Sequence, residues 1–195
     1  SSTYTYLLAD RASGQAVLID PVFEQARRDA ALVAELGLVL GLTLETHVHA
    51  DHLSRARELV RQTKATLLLP TQQRVRFAFR AIADGDRIPL GGATLTAVHT
   101  PGHTNESTSY VLNETAVFTG DTLFTNGVGR PDLHADPEAA RHRARALFAS
   151  LTRLRALPHP LLVLPAHASE PIAFDGRAVA AKLGDVETWL SGWLA

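Results

Sequence analysis

Four metal-capable side chains fall within seven residues, Thr46-His47-Val48-His49-Ala50-Asp51-His52, where the apolar run Leu38–Thr46 gives out. Such a run reads as a buried strand, which puts the histidines at a strand end. Histidines two positions apart can converge from one side of extended chain, while Asp51 and His52, at the mouth of the next helix, turn toward a neighbouring position. Burying several unpaired imidazoles and a carboxylate together is costly. A cation offsets that cost, so the segment points to a metal site rather than to ordinary packing.

Three further candidate ligands lie downstream, each at a strand-to-loop junction: His103 in Thr100-Pro-Gly-His-Thr104, Asp121 in Phe118-Thr-Gly-Asp121, and His167 in Leu164-Pro-Ala-His167. Each alone reads as a turn residue, a cap or a surface imidazole. Together with the first cluster they read as ligands.

The rest of the chain supplies the scaffold. Tyr4–Ala9 and Gln15–Ile19 flank a polar turn and predict a hairpin, and Glu24 to Leu36 carries helical spacing up to Gly37. A second helix is expected from Leu53 to Thr63, then a strand at Ala65–Leu69. Thr71 to Ala83 fits a strand or a helix edge equally well. Strands are expected at Asp86–Leu90, Ala93–His99, Thr108–Leu112, Ala116–Thr119 and Leu161–Leu164. Asp136-Pro137 predicts a helix start, with Ala140, Ala144, Leu147, Phe148, Leu151 and Leu154 along one face, and Val179 to Leu194 reads as a last amphipathic helix interrupted by Gly184. No repeat or linker divides the 195 residues, and a single domain over 1–195 is expected. The element order suits two sheets with helices packed outside better than a strictly alternating parallel sheet.

Composition narrows the chemistry. With no cysteine, disulfides and thiolate ligands or nucleophiles are excluded, so any transition-metal site must use imidazole and carboxylate. A net charge of -1 gives no electrostatic case for nucleic acid or an anionic membrane as partner. No apolar run approaches the ~20 residues of a membrane helix, and a soluble, cytoplasmic protein is expected. The chain begins at Ser1 with no signal stretch, which points to a trimmed terminus.

The order His47-x-His49-x-Asp51-His52, His103, Asp121, His167 resembles the metal signature of the metallo-β-lactamase superfamily over nearly the whole chain. That resemblance implies an α/β fold, an αββα sandwich of two mostly antiparallel sheets flanked by helices, with the metal at one edge. Tyr4-Thr-Tyr-Leu-Leu8, Val17-Leu-Ile-Asp-Pro21, Glu45-Thr-His-Val-His-Ala-Asp-His52, Pro101-Gly-His-Thr104, Phe118-Thr-Gly-Asp-Thr-Leu123 and Gly129-Arg-Pro-Asp132 are most similar to the persulfide dioxygenases. These are non-haem iron enzymes that oxidise glutathione persulfide with O₂ to sulfite and glutathione. Only 28 residues follow His167, against the helical extension of the related glyoxalase II. Pro131 and Leu133 depart from the dioxygenase pattern, which usually has Thr and Phe there. Asn105-Glu106-Ser107 departs too and sets a carboxylate near the site, where it could repel an anionic thiol, bind a positive group or face water.

The resemblance implies one Fe(II) per chain on His47, His103 and Asp121, with His49, Asp51, His52 and His167 orienting those ligands from behind. The open face of the iron then takes persulfide sulfur and O₂ side by side. Under the alternative, a binuclear zinc hydrolase of the glyoxalase II kind acting on a thioester or lactone, His47, His49 and His103 hold one metal. Asp51, His52 and His167 hold the other, and Asp121 bridges. Arg130 is the expected holder of a substrate carboxylate, since a guanidinium can bind one through two hydrogen bonds. Asp20 is expected to brace the metal loop rather than bind metal. Trp189 and Trp193, four apart, read as packing or as the stripe of a homodimer.

Overall fold

A computed structural model of the protein describes residues 3–49, 61, 63–170, 172 and 175–194. Two sheets lie face to face. The first runs in the order β1 (Tyr6–Ala9), β2 (Gln15–Ile19), β3 (Val39–Leu44), β4 (Thr66–Pro70), β5 (Arg80–Ile82). The second runs β11 (Ala181–Lys182), β10 (Leu162–Pro165), β9 (Ala116–Gly120), β8 (Thr108–Leu112), β7 (Ala93–His99), β6 (Arg87–Leu90). Helix α1 (Ala26–Glu35) follows a short 3₁₀ turn at Phe23–Gln25, α2 is Pro137–Arg155, and α3 is Leu183–Leu194.

Strand alternation builds the layers. In β2, Val17 and Ile19 face the second sheet with Leu44, Leu68, Leu95, Tyr110 and Phe118, while Ala16 and Leu18 face outward with Ala26 and Val33 of α1. In the second sheet Val117 and Val163 turn the other way, onto Leu147, Leu151 and Leu154 of α2 and Leu183, Val186 and Leu190 of α3. Both faces of the central strands are therefore apolar, and the helices cover them. Each fully buried leucine in these layers is worth ~1.5–3 kcal/mol relative to exposure.

The αββα sandwich is present, with mixed sheets. Antiparallel pairing dominates the second sheet, but in the first only β1 and β2 are antiparallel; β2 to β3, β3 to β4 and β4 to β5 run parallel. The expectation of mostly antiparallel strands thus fails for that sheet. Helix α1 explains the first parallel pair, because a helical crossover returns the chain to the same end of the sheet. Thr71 to Phe79 connects β4 to β5 without a helix, and Val75, Phe77 and Phe79 pack on Leu67 and Leu69.

Other boundaries shift for local reasons. Asp136 caps α2, its Oδ1 accepting from the amides of Glu138 and Ala139 at 2.9 Å, as Asp136-Pro137 predicts. The buried stripe of α2 is narrower than expected: Phe148 is 52% exposed because it sits about 100° around the helix from Leu147. Before α3, Ala181–Lys182 pairs with Leu162 and Val163 as a strand, so the last helix starts at Leu183 and Gly184 falls in its first turn. The helix expected over Leu53 to Thr63 lies almost wholly outside the described residues. Among the described residues no helix is long and apolar enough to cross a membrane.

Candidate metal centre

The candidate ligands gather where one end of each sheet meets the other. Strand β3 stops at Leu44, so Glu45 to His49 follow as bent chain and strand alternation no longer governs their side chains. Main-chain bonds pin this segment to the opposite sheet: Thr108 donates its amide to the Thr46 carbonyl at 2.9 Å, and the Tyr110 hydroxyl donates to the Glu45 carbonyl at 2.9 Å. From the second sheet, His103 follows β7, Asp121 follows β9 and His167 follows β10. Two glycines permit the close approach. Gly102, at φ +145°, lies against the backbone of Leu147 with no room for a Cβ, and Gly120, at φ +53°, lies against the Thr46 side chain.

Asp20 organises the first-sheet side. It takes a left-handed conformation at φ +50°, tolerated by Asp better than by most residues, and is buried. Its Oδ1 accepts the Thr46 amide at 2.7 Å and its Oδ2 accepts the Thr46 hydroxyl at 2.8 Å. Burial opposes charge on Asp20, but His49, then His47 and the Thr46 amide, outweigh it and hold the carboxyl below its usual range. These two bonds tie Asp20 to the loop that carries His47.

Proton counting then fixes two tautomers. The Thr46 hydroxyl has one hydrogen, given to Asp20, so its oxygen can only accept from His47 Nδ1 at 2.9 Å. His47 therefore carries its proton on Nδ1 and presents a bare Nε2. Burial, then the neighbouring His49, hold the His47 pKa well below the ordinary range, against the pull of Asp20, so the ring stays neutral. His103 repeats the pattern, its Nδ1 donating to the Arg130 carbonyl at 3.2 Å. The Nε2 atoms of both rings face Asp121 Oδ2, at 3.9 Å from His47 and 3.5 Å from His103. One ligand atom from each of the three side chains thus lies within 4.8 Å of the others, a set of imidazole and carboxylate donors that could hold a cation.

His167 stands behind this group. Its Nδ1 donates to Asp121 Oδ1 at 2.6 Å and its Nε2 meets the Thr3 hydroxyl at 3.0 Å, so it steers the carboxylate while Oδ2 faces the imidazoles. His49 goes elsewhere. Its ring stacks beside His47, centroids 4.0 Å apart, but Nε2 points at Asp20 Oδ1, 3.1 Å away, and at Glu45 Oε2, 3.3 Å away. Burial disfavours a charged His49, yet Asp20 and Glu45 outweigh it and hold its pKa well above the ordinary range. His49, Asp20 and Glu45 form a separate group of potential ligand atoms beside the first one. Asp51 and His52 lie outside the described residues.

Two neighbours take roles that the sequence leaves open. Glu106 is buried, and its Oε1 accepts the Val48 amide at 3.2 Å and Arg74 Nη1 at 2.9 Å. It neither faces water nor stands unpaired: it ties the histidine loop to Arg74. Arg130 touches the centre through its carbonyl on His103, while its guanidinium closes on both oxygens of Asp132 at 3.0 and 2.8 Å. Glu45 and Thr46 went unassigned from sequence; their position immediately before the first histidine was the only signal. Trp189 anchors α3 internally, donating to the Thr125 carbonyl at 3.1 Å.

Comparisons with known proteins identify relatives of the chain. Residues 1–167 match the family described as the Metallo-beta-lactamase superfamily. The mitochondrial persulfide dioxygenase ETHE1 of Bos taurus is 42% identical over 175 residues, covering 86% of this chain and 64% of that protein. A hydroxyacylglutathione hydrolase of Rhodospirillum rubrum is 34% identical over 170 residues, covering 86% of this chain and 62% of that protein. The chain therefore spans a little under two-thirds of either relative. The crystal structure of ETHE1 from Myxococcus xanthus superposes with a TM-score of 0.81 at 41% identity, covering 95% of this chain and 76% of that one.

Proposed function

Because the chain belongs to the metallo-β-lactamase superfamily and carries a metal site of imidazole and carboxylate donors, we propose that it is a non-haem iron persulfide dioxygenase. In the proposed reaction a low-molecular-weight persulfide such as glutathione persulfide, O₂ and one water give the thiol, sulfite and protons. Both atoms of O₂ and the water oxygen end on the outer sulfur; the sulfur–sulfur bond breaks and the inner sulfur leaves as thiol. Similarity to ETHE1 over most of the chain supports this reading.

The single observation that carries it is the division of the histidines. His47, His103 and Asp121 present three donor atoms to one point, a set that leaves half of an octahedral ion open. Fe(II) held there would supply electrons to O₂ and adjacent positions for sulfur and oxygen. Around it, Thr46 and the Arg130 carbonyl hold the two imidazoles in the donor tautomer, and His167 holds Asp121. The binuclear hydrolase scheme needs a bare His49 nitrogen on the first metal. His49 Nε2 lies instead 3.1 Å from Asp20 Oδ1 and 3.3 Å from Glu45 Oε2, in a group separate from His47, His103 and Asp121. A cytoplasmic setting suits the reading, since small thiols are kept reduced there.

Anaerobic loading with Fe(II), metal analysis and an oxygen electrode test the proposal. One iron per chain with oxygen uptake and sulfite formation on adding glutathione persulfide is expected. Full iron occupancy without uptake refutes it, and thioester turnover without oxygen consumption would establish the hydrolase instead.

A further inference from the structure

Resting on that reading of the site, we infer that Arg143 of α2 binds a carboxylate of the thiol substrate in the cavity beside His103. This cavity has a volume of about 460 Å³, within the ~300–1,000 Å³ usual for small-molecule sites, and its wall includes His103, Val48, Leu133, Arg74, Glu106 and Arg143. A ligand seated there lies directly against one of the proposed metal ligands.

The charges on the wall do not cancel. Arg74 and Glu106 compensate one another through their 2.9 Å ion pair. Arg143 is half-buried, and among the described residues it has no carboxylate within ion-pairing distance. Its Nη1 donates to the Leu133 carbonyl at 3.0 Å, which fixes the guanidinium without neutralising it. A fixed cation at the wall of a partly enclosed cavity selects an anion, and a planar guanidinium suits a carboxylate in particular. Arg130, the arginine expected from sequence, is poorly placed for this work. Its guanidinium is already bidentate on Asp132, 66% exposed, and does not line the cavity. Val48 and Leu133 supply apolar contact for the carbon frame between carboxylate and sulfur.

Isothermal titration of the full-length, metal-loaded protein with reduced glutathione and with its diethyl ester, whose carboxylates are masked, tests this. Wild-type protein should prefer the acid about tenfold or more. Arg143→Ala should lose that preference by weakening the acid alone, Arg143→Lys should keep part of it, and Arg145→Ala, at an exposed arginine of the same helix, should stay within about twofold of wild type. A merely structural role for Arg143 would weaken acid and ester alike. That result overturns the inference, as do an unchanged Arg143→Ala affinity, a larger loss at Arg145, or no saturable binding to the wild type. Because no oxygen is involved, carboxylate-selective binding without oxygen uptake would refute the dioxygenase and leave the carboxylate site standing. Oxygen uptake with Arg143-independent binding would do the reverse.

Discussion

Thr46→Val removes one hydroxyl while keeping the shape of the side chain, and it acts on both things that hydroxyl does. Asp20 Oδ2 loses a donor at 2.8 Å and His47 Nδ1 loses an acceptor at 2.9 Å, both in buried surroundings. A buried polar group stripped of its partner costs about 1–3 kcal/mol, so the variant should be destabilised by roughly 2–4 kcal/mol. Asp20 keeps the Thr46 amide on Oδ1 at 2.7 Å, which limits the damage to the loop. The effect on metal is separate. Without an acceptor at Nδ1 nothing holds His47 with Nε2 bare, and losses of such supporting bonds typically weaken metal binding about 10–100-fold. Competition against a fluorescent chelator measures this, with urea unfolding of the same samples for stability and Thr46→Ser as the variant that keeps the hydroxyl. If Thr46→Val is folded and binds metal as tightly as wild type, the reasoning about the His47 tautomer is wrong.

Three other expectations follow from the same geometry. His167→Ala should reduce metal affinity at least about tenfold by freeing Asp121, while oxygen consumption persists at saturating iron; chelator competition and an oxygen electrode read the two separately. Gly120→Ala forces a Cβ against the Thr46 side chain at φ +53° and should lower stability by about 1–3 kcal/mol, seen as a lower urea midpoint. Burial raises the Asp29 carboxyl above its usual range, with Arg28 pulling it down, so the folded chain holds that proton more tightly than the unfolded chain. Stability conferred by Asp29 is then greatest in acid and is lost as pH rises from about 4 through the raised pKa. Asp29→Ala should therefore gain on wild type across that interval, and parallel urea midpoints at every pH would contradict this.

The sequence was most readable where a periodic pattern and a terminator coincide. Gly37 after α1 and Asp136-Pro137 before α2 fix helix ends by local chemistry, and the two-residue alternation in β2 assigns its faces. Strand direction in the first sheet was not legible, because parallel and antiparallel strands of this length carry the same apolar residues. Within the site, residue types revealed the donors but not their aim. His47 and His49 look equivalent on an extended strand, yet the strand ends at Leu44, and distant Asp20 turns one ring away from the other's target. Arg143 carried no signal at all, since its value depends on the Leu133 carbonyl and on having no carboxylate within ion-pairing distance among the described residues.

His47 hangs from the rim of one sheet, and His103 and Asp121 from the rim of the other, with Thr108 and Tyr110 stitched across the seam to Thr46 and Glu45. An ion shared by those three side chains would act as a rivet between the two leaves of the sandwich. Prying the leaves apart at that margin and pulling out the ion are then a single event seen from two directions, so whatever loosens one must loosen the other to the same degree.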